Sequence, residues 1–97
     1  MGHDVLKVSS KSNPHAVAGA LVGIVRAGGA AAVQVVGAGA LNQAIKAVVI
    51  ARGMLAGAGL DLVCVPSFAE IDIGGESRTA LRLAVEPRQR STSATTA

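Results

Sequence analysis

Ninety-seven residues make one domain, long enough for a single modest core and too short for two. The chain is 51% hydrophobic and 15% charged, so it should fold rather than stay disordered; one Phe and no Trp or Tyr leave the aromatic platforms on which single-strand binders stack bases nearly unavailable. Residues 1–87 carry seven Lys/Arg against six acids, and Arg88 and Arg90 supply the remainder of the formal +3, so the body is nearly neutral and the high pI is weak support for nucleic acid.

Asp4 to Ser9 (DVLKVS) reads as a short strand. Ser12-Asn13-Pro14 opens a helix, with Asn13 as N-cap and Pro14, which has no N–H to leave unpaired, just inside. Val17, Leu21, Ile24 and Val25 recur at helical spacing and form its apolar face. Gly19 and Gly23 lie on the other side, where residues that weaken a helix imply close approach by another group. Gly28-Gly29 ends this helix, and Ala31 to Val36 (AAVQVV) is a second strand. A second helix runs from Ala40 to Arg52, with Leu41, Ile45, Val48 and Val49 on the face toward the sheet and Asn42, Gln43 and Lys46 outward. Ile50 interrupts that polar face and Met54 lies beside it, an apolar pair that predicts a partner surface, most simply for a second copy of the chain.

Leu60 to Val65 (LDLVCV) is a third strand closed by Pro66, and its Cys64 reads as a buried structural thiol. As the sole cysteine it excludes an internal disulfide and every multi-cysteine zinc pattern. FAEIDIGGESRTALRLAVEP forms a hairpin about Gly74-Gly75, with Thr79, Leu81, Leu83 and Val85 alternating with Ala80, Arg82, Ala84 and Glu86. Beyond Pro87 the segment RQRSTSATTA has no apolar residue but alanine. The expected organisation is therefore one domain over 1–87 and a flexible basic, Ser/Thr-rich tail over 88–97. The order βαβαββ predicts a two-layer α/β (α+β) fold, a four-stranded mixed sheet with both helices on one face.

Several functions are excluded by what is missing. The start MGHDVLKVSSK lacks a hydrophobic signal region, and the longest uncharged stretch, Ala27 to Ile45, holds four glycines plus Gln34, Asn42 and Gln43, so no membrane span is expected and the cytoplasm is the expected compartment. A dinucleotide site would want G-x-G-x-x-G, but Gly37 and Gly39 are followed by Asn42; Asp61, where a ribose-binding acid might stand, belongs to a strand. No G-K-[ST] occurs, and neither His3 nor His15 has a nucleophile at a usable spacing, so no catalytic residue and no cofactor are expected. Glu70, Asp72 and Glu76 cluster at the hairpin tip as a solvated charged turn, with no metal.

Two loops remain, Ser9 to Asn13 and Gly37 to Asn42, each at a strand's carboxyl end beside a helix N-terminus. Converging on one edge, they would present hydroxyls, the Lys11 ammonium, helix amides opened by Gly39, and the side-chain amides of Asn42 and Gln43. Such groups address phosphate and do not read bases. Ordinary capping explains the same residues.

The stretches LKVSSKSNPHAVAGAL, VQVVGAGALNQAIKAVVIARG and LDLVCVPSFAEIDIGGESRTALRLAVEPR resemble the stage V sporulation protein S family over about residues 4 to 88, with GAGALNQAIKA and the following ARG the most specific block. The resemblance implies a small cytoplasmic bacterial protein of Alba-like fold, similar in shape to archaeal Alba chromatin proteins and to the C-terminal domain of bacterial translation initiation factor three. It implies a regulatory role in sporulation or development, with nucleic-acid binding by analogy of fold. Lys11 stands where Alba proteins carry lysines before the first helix. Ala38 and Ala40 flank Gly39 where Alba has arginines, and the hairpin has Arg78 among Glu70, Asp72 and Glu76 where Alba's arm is basic. With fewer cations, the expected contact with DNA or RNA is weak and phosphate-directed, through Ser9, Lys11, Asn13, Gly39, Asn42, Gln43, Lys46 and Arg78, in a homodimer paired at Ile50 and Met54. The alternatives are a protein–protein adaptor acting through its homo-oligomer, and a small anionic ligand held between the two loops.

Overall fold

The computed structural model describes residues 4–90; His3 and positions 91–97 of the expected tail lie outside them. The elements follow in the order β1 (Asp4–Val8), α1 (Pro14–Arg26), β2 (Ala31–Val35), α2 (Ala38–Leu55), a single 3-10 turn (Ala56–Ala58), β3 (Leu60–Ile73) and β4 (Glu76–Gln89). The sheet order is β1-β2-β4-β3; β1 and β2 run parallel, and β4 is antiparallel to both its neighbours. Both crossovers, β1 to β2 and β2 to β3, therefore step the same way across the sheet. A right-handed connection in each puts α1 and α2 on the same face, where they pack side by side.

The core lies between this face and the helices, with Leu21, Leu55, Val33, Val35 and Val85 fully buried. Its α2 side corrects the sequence reading. The buried stripe is Ala40, Ala44, Ala47, Val48, Ala51 and Leu55, while Ile45 and Val49, expected inside, are 44% and 59% exposed. Four alanines let the helix axis sit close to α1 and the sheet, so small side chains fill the interface and larger ones are left outside. On α1 the buried set is Ala18, Leu21, Val22 and Val25, with Val17 and Ile24 at its margin. Gly19 and Gly23 meet no neighbour among the described residues, since a Cβ at either would stand in open space, so the approach inferred from them is not made there.

Element ends differ in three places. Helix α2 begins two residues before and ends three after the expected span, because Gly39 is taken into its first turn and Gly53 is tolerated within it. Strand β3 does not stop at Pro66 but continues to Ile73. As the outermost strand it has a free side, where a missing N–H leaves no ladder bond unmade. At its start, β3 pairs Leu60 with Gln89 and Asp61 with Arg88, and the Arg90 N–H donates to the Gly59 carbonyl (2.9 Å). Arg88 and Arg90, counted with the tail by sequence, are thus held against the sheet.

Strand β2 pairs only with Leu81–Val85 of β4. The rest of the hairpin, 69–80, runs on as a two-stranded arm beyond the carboxyl ends of β1 and β2, turning at Gly74 (φ 59°) and Gly75 (φ 85°), the paired left-handed residues of a type I′ turn. Across the arm Glu70 accepts from Ser77 Oγ and Thr79 Oγ1, both at 3.1 Å, which gives that acid a structural role.

Candidate nucleic-acid interface

The Ser9–Asn13 loop closes on itself. Ser9 N–H donates to Ser12 Oγ (2.9 Å), Lys11 N–H to Ser9 Oγ (3.2 Å) and Ser12 N–H to the Ser9 carbonyl (3.1 Å). Asn13 then caps α1, its Oδ1 accepting from the N–H groups of His15 (2.8 Å) and Ala16 (3.4 Å). Two of the four amides that a helix start leaves unpaired are consumed here, so α1 offers little to an anion. Lys11 projects from this closed turn, exposed and in no ion pair among the described residues.

Helix α2 begins differently. Its N-cap is Gly37, which has no side chain to cap with, and the first turn, Ala38-Gly39-Ala40, carries no acid to occupy the free amides. The loops do converge on this point. A Cβ on Gly39 would lie 3.0 Å from Ser10 Cβ, and Gln43 Nε2 donates to the Ser12 carbonyl at 2.8 Å across 31 residues of sequence. Gly39 therefore works through close approach of two backbones, and Gln43 is a brace between the loops with its side-chain oxygen left over. Asn42 and Lys46, four residues apart and both exposed, stand on one side of α2. The uncapped α2 amides thus stand beside the Ser9–Asn13 loop that carries Lys11, with Asn42 one turn along the helix and Lys46 two turns along, about 12 Å from its start. Arg78 is not in this group; it sits exposed on the arm opposite Ile71.

The predicted oligomer residues separate. Met54 is 48% exposed, whereas Ile50 is half-buried and packs against the core. Ile45 and Val49, one turn apart on α2, are an exposed apolar pair that lines a shallow hollow with Pro14, His15, Lys46 and Ile50, whereas Met54, nine residues on from Ile45, stands on the opposite side of the helix.

Sequence reasoning passed over two features. Arg52 and Asp61 form a two-pronged ion pair, Nε–Oδ1 at 2.6 Å and Nη2–Oδ2 at 3.1 Å, tying the last turns of α2 to the start of β3. The Arg52 guanidinium and the Leu62 N–H together hold the buried Asp61 carboxyl well below the usual carboxylate range. The second is a row across the open face of the sheet, Lys7, Gln34, Arg82 and Ser67, in register on four strands. Alternation had put Arg82 on the solvent side, but only the register shows what it stands beside. Half-buried Cys64 has its thiol pushed up by desolvation, which keeps it protonated and unreactive. No helix among the described residues is long and apolar enough to cross a membrane. With this geometry in place, comparison with protein families finds a match over residues 4–88 to the model described as Stage V sporulation protein S.

Proposed function

The chain belongs to the stage V sporulation protein S family, whose role is sporulation-related, and from that premise we propose that it is a non-enzymatic regulator that binds DNA or RNA weakly through phosphate contacts, as a cytoplasmic homodimer. The carrying observation is the contrast between the two helix starts. The α1 amides are capped by Asn13, while those of α2 are uncapped, with Lys11 on the adjoining loop and Lys46 two turns along the helix. A phosphate at α2 receives N–H donors and the charge of the Lys11 loop, and Lys46 farther along the helix meets a second phosphate, with no base-reading side chain in place. Few cations mean few released counterions, hence modest affinity.

Salt-titrated binding to duplex DNA and duplex RNA tests this. Lys11→Ala should weaken every sequence alike and lower the slope of log affinity against log salt by about one. Gly39→Asp, placing negative charge where the anion would sit, should be worse, with its fold verified by circular dichroism. Parent-like binding by both folded variants would reduce this edge to two packed turns. A second reading, an adaptor acting through its homo-oligomer, draws support from the exposed Ile45 and Val49 pair, and predicts self-association with no affinity for either duplex.

A further inference from the structure

The arm, the ends of β1 and β2, and the Ser9-Ser10 turn enclose a groove of about 910 Å³, within the range of small-molecule sites. Neither Lys11 nor Lys46 lines it, but Gly39 and Ala40 of the first α2 turn do, so it opens beside the edge proposed for nucleic-acid phosphate. Its polar floor is the cross-strand row of Lys7, Gln34 and Arg82. Neighbouring strands lie roughly 4.8 Å apart, so the Lys7 and Arg82 backbones stand about 10 Å from one another with Gln34 between. Long side chains converging from that separation can hold one small anion from both sides.

The hydrogen bonds leave this floor rich in donors. Arg82 Nη2 donates to Gln34 Oε1 at 2.6 Å, which fixes the guanidinium and turns the Gln34 amide so that its NH₂ remains to give. Arg82 Nε is buried and has no acceptor among the described residues, and Lys7 is in no ion pair there. The Ser9 and Ser10 hydroxyls stand at the rim, and Asp72 is the single acid in the lining. The walls are different in kind: Val5, Val36, Ile71 and Ile73 are apolar, and no aromatic ring is present to stack a base.

We propose that this groove binds a small organic oxyanion, its phosphate or carboxylate head on Lys7, Gln34 and Arg82 and its apolar body against the isoleucines of the arm. The sequence alone placed such a ligand between the two loops; the structure assigns it to the sheet floor beside them, with Lys7, Gln34 and Arg82 holding the head group and Ser9 and Gly39 of the loops only at its edge.

Titration of the full chain by amide NMR with phenyl phosphate, benzoate and inorganic phosphate tests this. Phenyl phosphate or benzoate should bind saturably and move the amides of Lys7, Gln34 and Arg82, and whichever binds tighter identifies the head group. Inorganic phosphate, lacking the apolar body, should bind roughly tenfold more weakly. Lys7→Gln, at an exposed position that leaves the fold alone, and Arg82→Gln should each weaken binding roughly tenfold or more, the worth of a charge-assisted hydrogen bond. Lys11→Ala should leave it unchanged. The proposal falls if no probe saturates, if Lys7→Gln binds as the parent does, or if Lys11→Ala weakens binding equally, which would return the anion to the loops. It falls also if a single-stranded oligonucleotide moves these amides and phenyl phosphate does not.

Discussion

Single residues here are decided by what stands within hydrogen-bond reach. Asn13 and Gln43 are both amides in the candidate interface, yet one is spent on capping a helix and the other on bracing a loop 31 residues away. The cap was legible in Asn-Pro; the brace was not, because a contact between two loops needs the fold. The same holds for Arg52 and Asp61, whose partnership follows from β3 starting immediately after α2's final turn. Asp61 titrates below its unfolded value near pH 4, so the pair stabilises the native state above that pH, and the contribution is lost as pH falls through the depressed value. The difference in urea midpoint between parent and Asp61→Asn should accordingly be constant from pH 5 to pH 8 and shrink steadily below about pH 4. A pH-independent difference would mean that the ion pair does not supply it.

At the scale of elements, strand and helix order could be read from punctuation, whereas the orientation of α2 could not. Gly28-Gly29, Gly37 and Gly74-Gly75 mark real boundaries, because each interrupts a periodic pattern where the chain must turn. Pro66 looked like the same kind of mark and was not, since an outermost strand carries a proline without loss. The α2 error has another cause: judged by residue size, Ile45 and Val49 outrank alanine for burial, but a helix lying tightly on α1 and the sheet has room only for small side chains. That close fit is testable. Ala47 is fully buried, and Ala47→Leu should destabilise the fold by about 1–3 kcal/mol through overpacking. The same change at exposed Ala20 should stay within about 0.5 kcal/mol, both measured by urea unfolding. Equal effects would show that α2 sits loosely enough to accept a larger residue.

For the whole molecule the question is how a body of such small net charge holds a polyanion at all. Lys11 and Lys46 give one copy only a few phosphate contacts, and a second copy doubles them without adding any new kind of contact. The exposed pair Ile45 and Val49 stands on α2, the same helix whose first turn faces the proposed phosphate, so pairing there would couple assembly to binding. Ile50, predicted at the interface, is half-committed to the core and is the poorer probe; Val49, 59% exposed, is the better one. Light scattering at micromolar concentration should give the parent twice its 9.6 kDa mass, and Val49→Glu should halve it while leaving the circular dichroism spectrum intact. Because the salt slope counts neutralised phosphates, the monomeric variant should then bind duplex DNA with about half the parent's slope. A parent of monomer mass ends the homodimer. A dimer that survives Val49→Glu moves the interface off this side of α2, and a monomeric variant with an undiminished slope separates assembly from binding.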